Sequence, residues 1–145
     1  MLVRKSKGFT MLDTIVSIAV ISIAILTIIT SESLALNIKN RQLEKDKGLV
    51  TIEAINKIMV NNLTYDEISS FFGNNVKYIK ASNLNTDLIK KSSILNICSE
   101  NKESQYPYVE IRGNKDPSDN VVKIEVKYEI NEKEELKYVF YKGNY

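Results

Sequence analysis

The sequence predicts an α+β protein, in which a long amino-terminal helix packs on a carboxy-terminal antiparallel β-meander. Two observations lead to this fold class. Residues 14–31 form an uncharged apolar run that continues, without a proline, into a stretch with helical periodicity. About the last forty residues instead alternate apolar and charged side chains, which is typical of half-buried strands.

The composition limits the classes of function. The chain has 145 residues, about one domain, and a net charge of +2, which is too balanced for a dedicated nucleic-acid-binding protein. It has no His, so His-dependent catalysis is excluded, and its single cysteine allows neither an internal disulfide nor a four-cysteine zinc site. We therefore expect a protein that is not an enzyme and that needs no cofactor and no metal ion.

The apolar run is long enough to cross a membrane. It holds eighteen uncharged residues between Asp13 and Glu32, and its only polar members are Ser and Thr. As a helix it would be about 27 Å long, close to the roughly 30 Å hydrocarbon core of a bilayer. Residues 14–31 are therefore the candidate membrane span.

The residues before this run predict its orientation. Arg4, Lys5 and Lys7 precede it with no acidic residue among them, so the positive-inside rule places the amino terminus in the cytoplasm. The chain is then a single-pass cytoplasmic membrane protein with its carboxy terminus outside. Two alternatives keep the same segment: a plain signal anchor that holds an external domain, or a secretory signal cleaved near residues 33–35.

A family resemblance lies at the start of the run. Residues 5–13, KSKGFTMLD, followed by a long apolar helix, resemble the amino-terminal signature of type IV pilins and of the pseudopilins of type II secretion and DNA uptake. The resemblance implies that a prepilin peptidase removes the leader, residues 1–8, between Gly8 and Phe9, and that Phe9 is then N-methylated. It also implies that Asp13, where the family usually has glutamate, pairs with a neighbouring subunit's amino terminus and sets the assembly register.

The resemblance also implies a function and partners. The chain would be a structural subunit of a type IV pilus or pseudopilus, assembled at the cell surface by helix packing and driven by a separate ATPase motor. Asp13 and the absence of Pro and Gly in the run favour a minor subunit. Its partners would be other pilin or pseudopilin subunits, the prepilin peptidase, the membrane platform of the machine and the lipid bilayer; no nucleic acid is expected. Two alternatives stay open: a tip adhesin or DNA-uptake binding module, and a signal-anchored surface protein that never polymerises.

The stretch after the run predicts the second half of the same helix. We expect one helix from Phe9 to Asn61, with residues 9–31 in the membrane or filament core and residues 32–62 amphipathic, packed on the globular domain. The alternative is an anchor followed by an independent amphipathic helix. Gly48 is a candidate bend. The apolar stripe comprises Leu36, Ile38, Leu43, Val50, Ile52, Ile55, Ile58 and Met59.

Residues 63–145 predict a globular αβ region. Thr64 and Glu67 form a capping box that begins a short helix, Tyr65–Phe72, which ends at Gly73. The sheet lies at about residues 106–142. Its predicted strands are 106–112, 122–130 and 136–140, joined by a loop at 113–120 and a turn at 131–135; a strand at 76–81, a helical turn within 85–93 and a strand at 94–98 precede them.

Three further features of this region have structural interpretations. Most tyrosines lie in the carboxy-terminal half, where we expect sheet packing for Tyr106, Tyr108, Tyr128 and Tyr138, with a sugar- or DNA-stacking surface as the alternative. The alternating Lys and Glu residues predict a solvated sheet face. Cys98 is expected to be a small buried residue.

Overall fold

A computed structural model describes residues 11–73, 75–91, 94–102, 104–116 and 120–144, and it confirms the predicted α+β class. The chain divides into two units, one through Arg41 and one from Gln42. The helices are α1 (Met11–Asn61), α2 (Tyr65–Phe72), α3 (Thr86–Lys91) and α4 (Ile94–Ile97), with a 3-10 turn at Ala81–Asn83. The strands are β1 (Lys77–Ile79), β2 (Cys98–Ser99), β3 (Tyr108–Asp116), β4 (Val121–Asn131) and β5 (Glu134–Gly143).

Helix α1 is continuous over 51 residues, so the prediction of one helix is confirmed from Met11 onward. Every described residue through Arg41 is exposed. Burial of the helix begins at Gly48, which stays helical rather than ending the helix. The predicted stripe is therefore wrong in its first part, because Leu36 and Leu43 are exposed, and Val50 is exposed as well. The buried residues of α1 are Gly48, Thr51, Ile52, Ala54, Ile55 and Met59.

Helix α2 begins with the predicted capping box. The Glu67 backbone N–H donates to Thr64 Oγ1 over 3.3 Å, and the Thr64 backbone N–H donates to Glu67 Oε2 over 2.8 Å. The helix ends before Gly73, whose φ of +48° lies in the region that favours glycine. Both predicted boundaries of this helix are confirmed.

The sheet has five antiparallel strands in the order β2-β1-β3-β4-β5. Strands β3, β4 and β5 form the predicted meander, and β1 and β2 extend it on the other side. One face of the sheet carries core side chains, among which Val109 pairs with Tyr128 and Ile111 with Val126. These side chains pack with residues of α1 and α2 into one apolar cluster, which includes Ile55, Met59, Ile68, Phe72, Ile79, Ile111, Ile124 and Val126.

Two predicted elements are wrong. Residues 94–97 form helix α4 instead of a strand, and only Cys98 and Ser99 pair with β1. The predicted loop at 113–120 is too long, because β3 continues to Asp116, which pairs with Val121 of β4. The turn after β4 is shorter than the predicted 131–135. β5 extends beyond the predicted 136–140 at both ends, because its backbone pairs with β4 from Glu134 to Gly143.

Candidate functional site: the apolar segment and the exposed surfaces of the domain

The first part of α1 presents an apolar surface on all sides. Among the described residues, α1 is the one helix long and apolar enough to cross a membrane, and none of its apolar window is buried. Large aliphatic side chains such as Ile15, Ile18 and Ile25 are more than half exposed. Because apolar surface of this extent is unfavourable in water, the segment needs a lipid or protein environment.

Five hydroxyl groups of this segment are bonded to the helix itself. Ser17, Ser22, Thr27, Thr30 and Ser31 each donate to a backbone carbonyl three or four residues earlier, over 2.7–3.1 Å. Such bonds satisfy a hydroxyl that water does not reach. The segment therefore offers its surroundings an almost purely hydrocarbon surface.

Asp13 lies in the first turn of α1, directly before the uncharged run. Its side chain is exposed, and its backbone carbonyl accepts the Ser17 hydroxyl over 2.7 Å. An acidic group in the first turn is stabilised by the helix dipole. The other residues predicted for processing and orientation, Arg4, Lys5, Lys7, Gly8 and Phe9, lie outside the described residues.

The sheet face opposite the core carries interleaved charges of both signs. Lys127 and Lys137 lie directly opposite each other, and Glu125 forms ion pairs with both, at 4.0 Å and 3.0 Å. The hydrogen bond from Lys137 holds the pKa of the Glu125 carboxyl below its ordinary value. Arg112 pairs with Glu110 over 2.8 Å. These ion pairs agree with the predicted solvated face.

The tyrosines are divided between buried and exposed positions. Tyr108 and Tyr128 are 2% exposed, as sheet packing predicts. The same prediction is wrong for Tyr106, which precedes β3 and is 36% exposed, and for Tyr138 on β5, which is 45% exposed. The Tyr106 ring packs against the Tyr108 ring, with 5.3 Å between the ring centroids. Lys102 Nζ lies over the Tyr108 ring, 5.7 Å from its centroid. The cluster is thus a small patch with one half-exposed ring.

A shallow groove of about 550 Å³ lies beside α1 in the unit from Gln42. Leu43 and Val50 of the helix line it together with Leu84, Pro107 and Tyr128. Burial, and secondarily the charge of Glu44, raise the pKa of the Tyr128 hydroxyl. The lining is mostly apolar, so the groove suits packing against another apolar surface.

Cys98 is half-buried, so it is more exposed than the fully buried residue that the sequence predicts. Burial raises the pKa of its thiol to about 12, although the charge of Lys77 acts in the opposite direction. The thiol is therefore almost entirely protonated near neutral pH, as expected for a packing residue. No group of three or more Asp, Glu or Cys residues suited to a metal ion occurs within the described residues.

Comparison with protein-family models, with curated proteins and with solved structures found no match to this chain. Gly48, the candidate bend of α1, is buried against Tyr128 and Leu136, a packing role that the sequence did not predict. The available signal was the isolated glycine in a helical pattern, which also indicates close packing.

Proposed function

We propose that this chain is a minor pilin or pseudopilin, a structural subunit of a type IV pilus or a related filament. It is inserted with its amino terminus in the cytoplasm, cut after Gly8 and methylated on Phe9. The observation that carries the proposal is the continuity of α1, in which an exposed apolar segment and a sheet-packed segment belong to one helix.

Two different environments of the apolar segment support this function. In a bilayer, lipid chains cover residues 14–31, and helix association there depends on close packing rather than on the hydrophobic effect. Outside the bilayer the same surface is exposed to water, so its burial against sister helices drives association. A subunit that is extracted from the membrane needs such a surface in both environments.

Asp13 supplies a carboxylate at the inner end of this surface. A carboxylate taken into an apolar filament core costs several kcal/mol unless a cation pairs with it. Cleavage after Gly8 creates a new amino group four residues before Asp13 in sequence, and in the proposed filament a neighbour's amino group neutralises this carboxylate. The pair fixes the axial position of each subunit.

The test is mass spectrometry of the amino terminus. The full-length chain is expressed in bacteria with and without a prepilin peptidase, beside the variant Gly8→Leu and the control Ser6→Ala. We expect the wild-type chain and the control to lose residues 1–8 and gain one methyl group only when the peptidase is present, whereas Gly8→Leu stays intact. An intact wild-type leader supports the signal anchor instead, and a chain cut near residues 33–35 supports a secreted domain.

A further inference from the structure

We propose that the groove beside α1 binds an amphipathic helix of a second protein, one that carries a lysine or arginine in the middle of its apolar stripe. The groove has a volume of about 550 Å³, and its lining residues all belong to the unit from Gln42. Leu43 and Val50 of α1 line it and are 48% and 50% exposed. These two aliphatic side chains become buried when a partner covers the groove, which favours association.

The shape of the groove favours a protein element over a small ligand. Ligand pockets usually enclose most of the ligand's surface, whereas this groove is shallow and open to solvent. An extended segment would bring backbone N–H and C=O groups that need partners. Strands β1, β3 and β4 are paired on both sides, so they offer such a segment no free edge. A helix satisfies its own backbone groups and binds in a groove through its apolar side chains.

Helix α1 lines the groove at the spacing that contacts between helices use. Leu43, Asp46 and Val50 lie at i, i+3 and i+7, so they follow one another along the same side of α1. Leu84 and Pro107 lie on the other wall. A helix between the two walls therefore meets aliphatic carbon on both sides, and it meets one carboxylate in the middle of the α1 stripe.

The charge of this carboxylate determines the middle residue of the partner's stripe. Lys47 Nζ lies 2.7 Å from Glu44 Oε1, so these two charges of the groove compensate each other. Asp46 forms no ion pair within the described part of the chain, and Lys45, its neighbour in sequence, points to a different side of the helix. A purely apolar helix would bury the Asp46 carboxylate without a partner, which is strongly unfavourable. A lysine or arginine opposite Asp46 supplies the missing charge.

Tyr128 adds a second polar group to the groove. Its side chain lines the groove and is 2% exposed, and its hydroxyl makes no hydrogen bond to another described residue. A tyrosine hydroxyl accepts a hydrogen bond from an ammonium or guanidinium group. The aliphatic stem of a lysine or arginine packs on apolar side chains while its charged end reaches polar groups. The groove thus suits a long basic side chain, and the inference does not require that the chain polymerises.

The test uses designed helices and the full chain in micelles of a nonionic detergent. The probe is a fluorescent, alanine-based peptide of about 20 residues with Leu at i and i+7 and Lys at i+3 and i+4, which allows either direction of the bound helix. In the matched control peptide, Gln replaces both Lys. We expect fluorescence anisotropy to show about tenfold weaker binding of the Gln peptide. A photoreactive leucine analogue at i should link the Lys peptide to residues of the groove.

Two pairs of chain variants locate the contact. Asp46→Asn should weaken binding of the Lys peptide about tenfold and leave binding of the Gln peptide unchanged, whereas Asp87→Asn, at an exposed carboxylate outside the groove, should change neither. Val50→Gln should weaken binding of both peptides. Leu49→Gln is the matched control, because Leu49 is exposed on the same helix but does not line the groove.

Several outcomes would overturn the proposal. They are equal binding of the two peptides, an Asp46→Asn variant that binds the Lys peptide like wild type, and photochemical links that map outside the groove. Sedimentation of the chain without peptide tests a second copy as the occupant. A dimer that Val50→Gln dissociates and Leu49→Gln does not would place a second copy in the groove, and this result would also overturn the proposal.

Discussion

Gly48 of α1 lies directly over the ring of Tyr128 on β4. A Cβ atom at Gly48 would lie 2.9 Å from Tyr128 Cδ1 and 2.7 Å from Leu136 Cδ1, closer than carbon atoms approach without displacement. The absent side chain therefore sets how near the helix comes to β4 and β5. This contact is also where the burial of α1 begins.

Replacing Gly48 by alanine should destabilise the domain. Helix propensity alone would make Gly48→Ala more stable by about 1 kcal/mol. The added methyl group meets two packed side chains, so we expect a net loss of about 1–3 kcal/mol in the free energy of unfolding. Chemical denaturation of the full chain in micelles, followed by circular dichroism, measures the change.

A control and a rescue distinguish the clash from other effects. Val50→Ala changes an exposed position of the same helix and should alter the free energy of unfolding little. Adding Leu136→Ala to Gly48→Ala removes one of the two contacts, so the double variant should lose less stability than the sum of the single losses. Strict additivity of the two losses would contradict the close approach.

The capping box of α2 should make a pH-dependent contribution. Thr64→Ala should cost about 1 kcal/mol near neutral pH, and Thr64→Ser should cost little, because serine keeps the hydroxyl. The backbone N–H of Thr64, followed by its hydroxyl, lowers the pKa of Glu67 from its ordinary value of 4.5. A lowered carboxyl pKa stabilises the fold above the unfolded-state pKa, and this contribution is lost as the pH falls through the folded-state pKa.

The measurement is the difference in unfolding free energy between wild type and Thr64→Ala as a function of pH. We expect this difference to decrease as the medium becomes acidic enough to protonate Glu67. In a Glu67→Gln background the difference should be the same at both ends of the pH range. A Thr64→Ser variant as unstable as Thr64→Ala would show that the hydroxyl does not cap the helix.

The thiol of Cys98 should react slowly in the folded chain. With a pKa of about 12 against an ordinary value of 9.0, its thiolate fraction at pH 8 is reduced by orders of magnitude. We expect iodoacetamide to modify the folded chain roughly a hundredfold or more slowly than the chain in denaturant. Mass spectrometry of the alkylated fraction over time gives both rates, and equal rates would place the thiol in solvent.

Asp13 should be needed for assembly and not for insertion. We expect Asp13→Ala to leave membrane insertion and leader cleavage unchanged and to lower incorporation into filaments roughly tenfold, as for the loss of about 1.4 kcal/mol. Asp13→Asn tests the charge at constant shape, and Asp13→Glu, which keeps the charge, should retain most of the wild-type incorporation. Immunoblots of sheared surface fibres and of membranes measure the two pools. Unchanged incorporation of the alanine variant would refute the register role.

Local patterns predicted the elements that local interactions determine. The capping residues Thr64 and Glu67 are sufficient to begin α2, and strict alternation along β4 shows which side chains face the core. Residues 94–97 were misassigned because a short apolar run has no period that separates a strand from a buried helical turn. Here the run follows α3 and buries Ile94 as a helix.

Long-range contacts determined what the sequence left open. Gly113 is a residue type typical of turns, but it continues β3 by pairing with Ile124 of β4. The Phe72 ring occupies the space where a Cβ at this position would lie, so the close approach needs a glycine. Helical periodicity likewise places Leu36 and Leu43 on one apolar stripe, but periodicity does not determine which other surface, if any, covers that stripe. The residues at the predicted cleavage site, Gly8 and Phe9, lie outside the described part of the chain, so their role stays a prediction.

The back-bonded hydroxyls of the apolar segment affect how it changes surroundings. Since Ser17, Ser22 and Thr27 are already bonded to their own backbone, moving the segment from one nonpolar medium to another breaks none of these hydrogen bonds. Hydrogen bonding along the segment therefore favours no particular rotation about the long axis and no particular depth. A polar preference for one depth has to originate at the ends of the segment, whereas substitutions in its middle act through the shape of the packing surface.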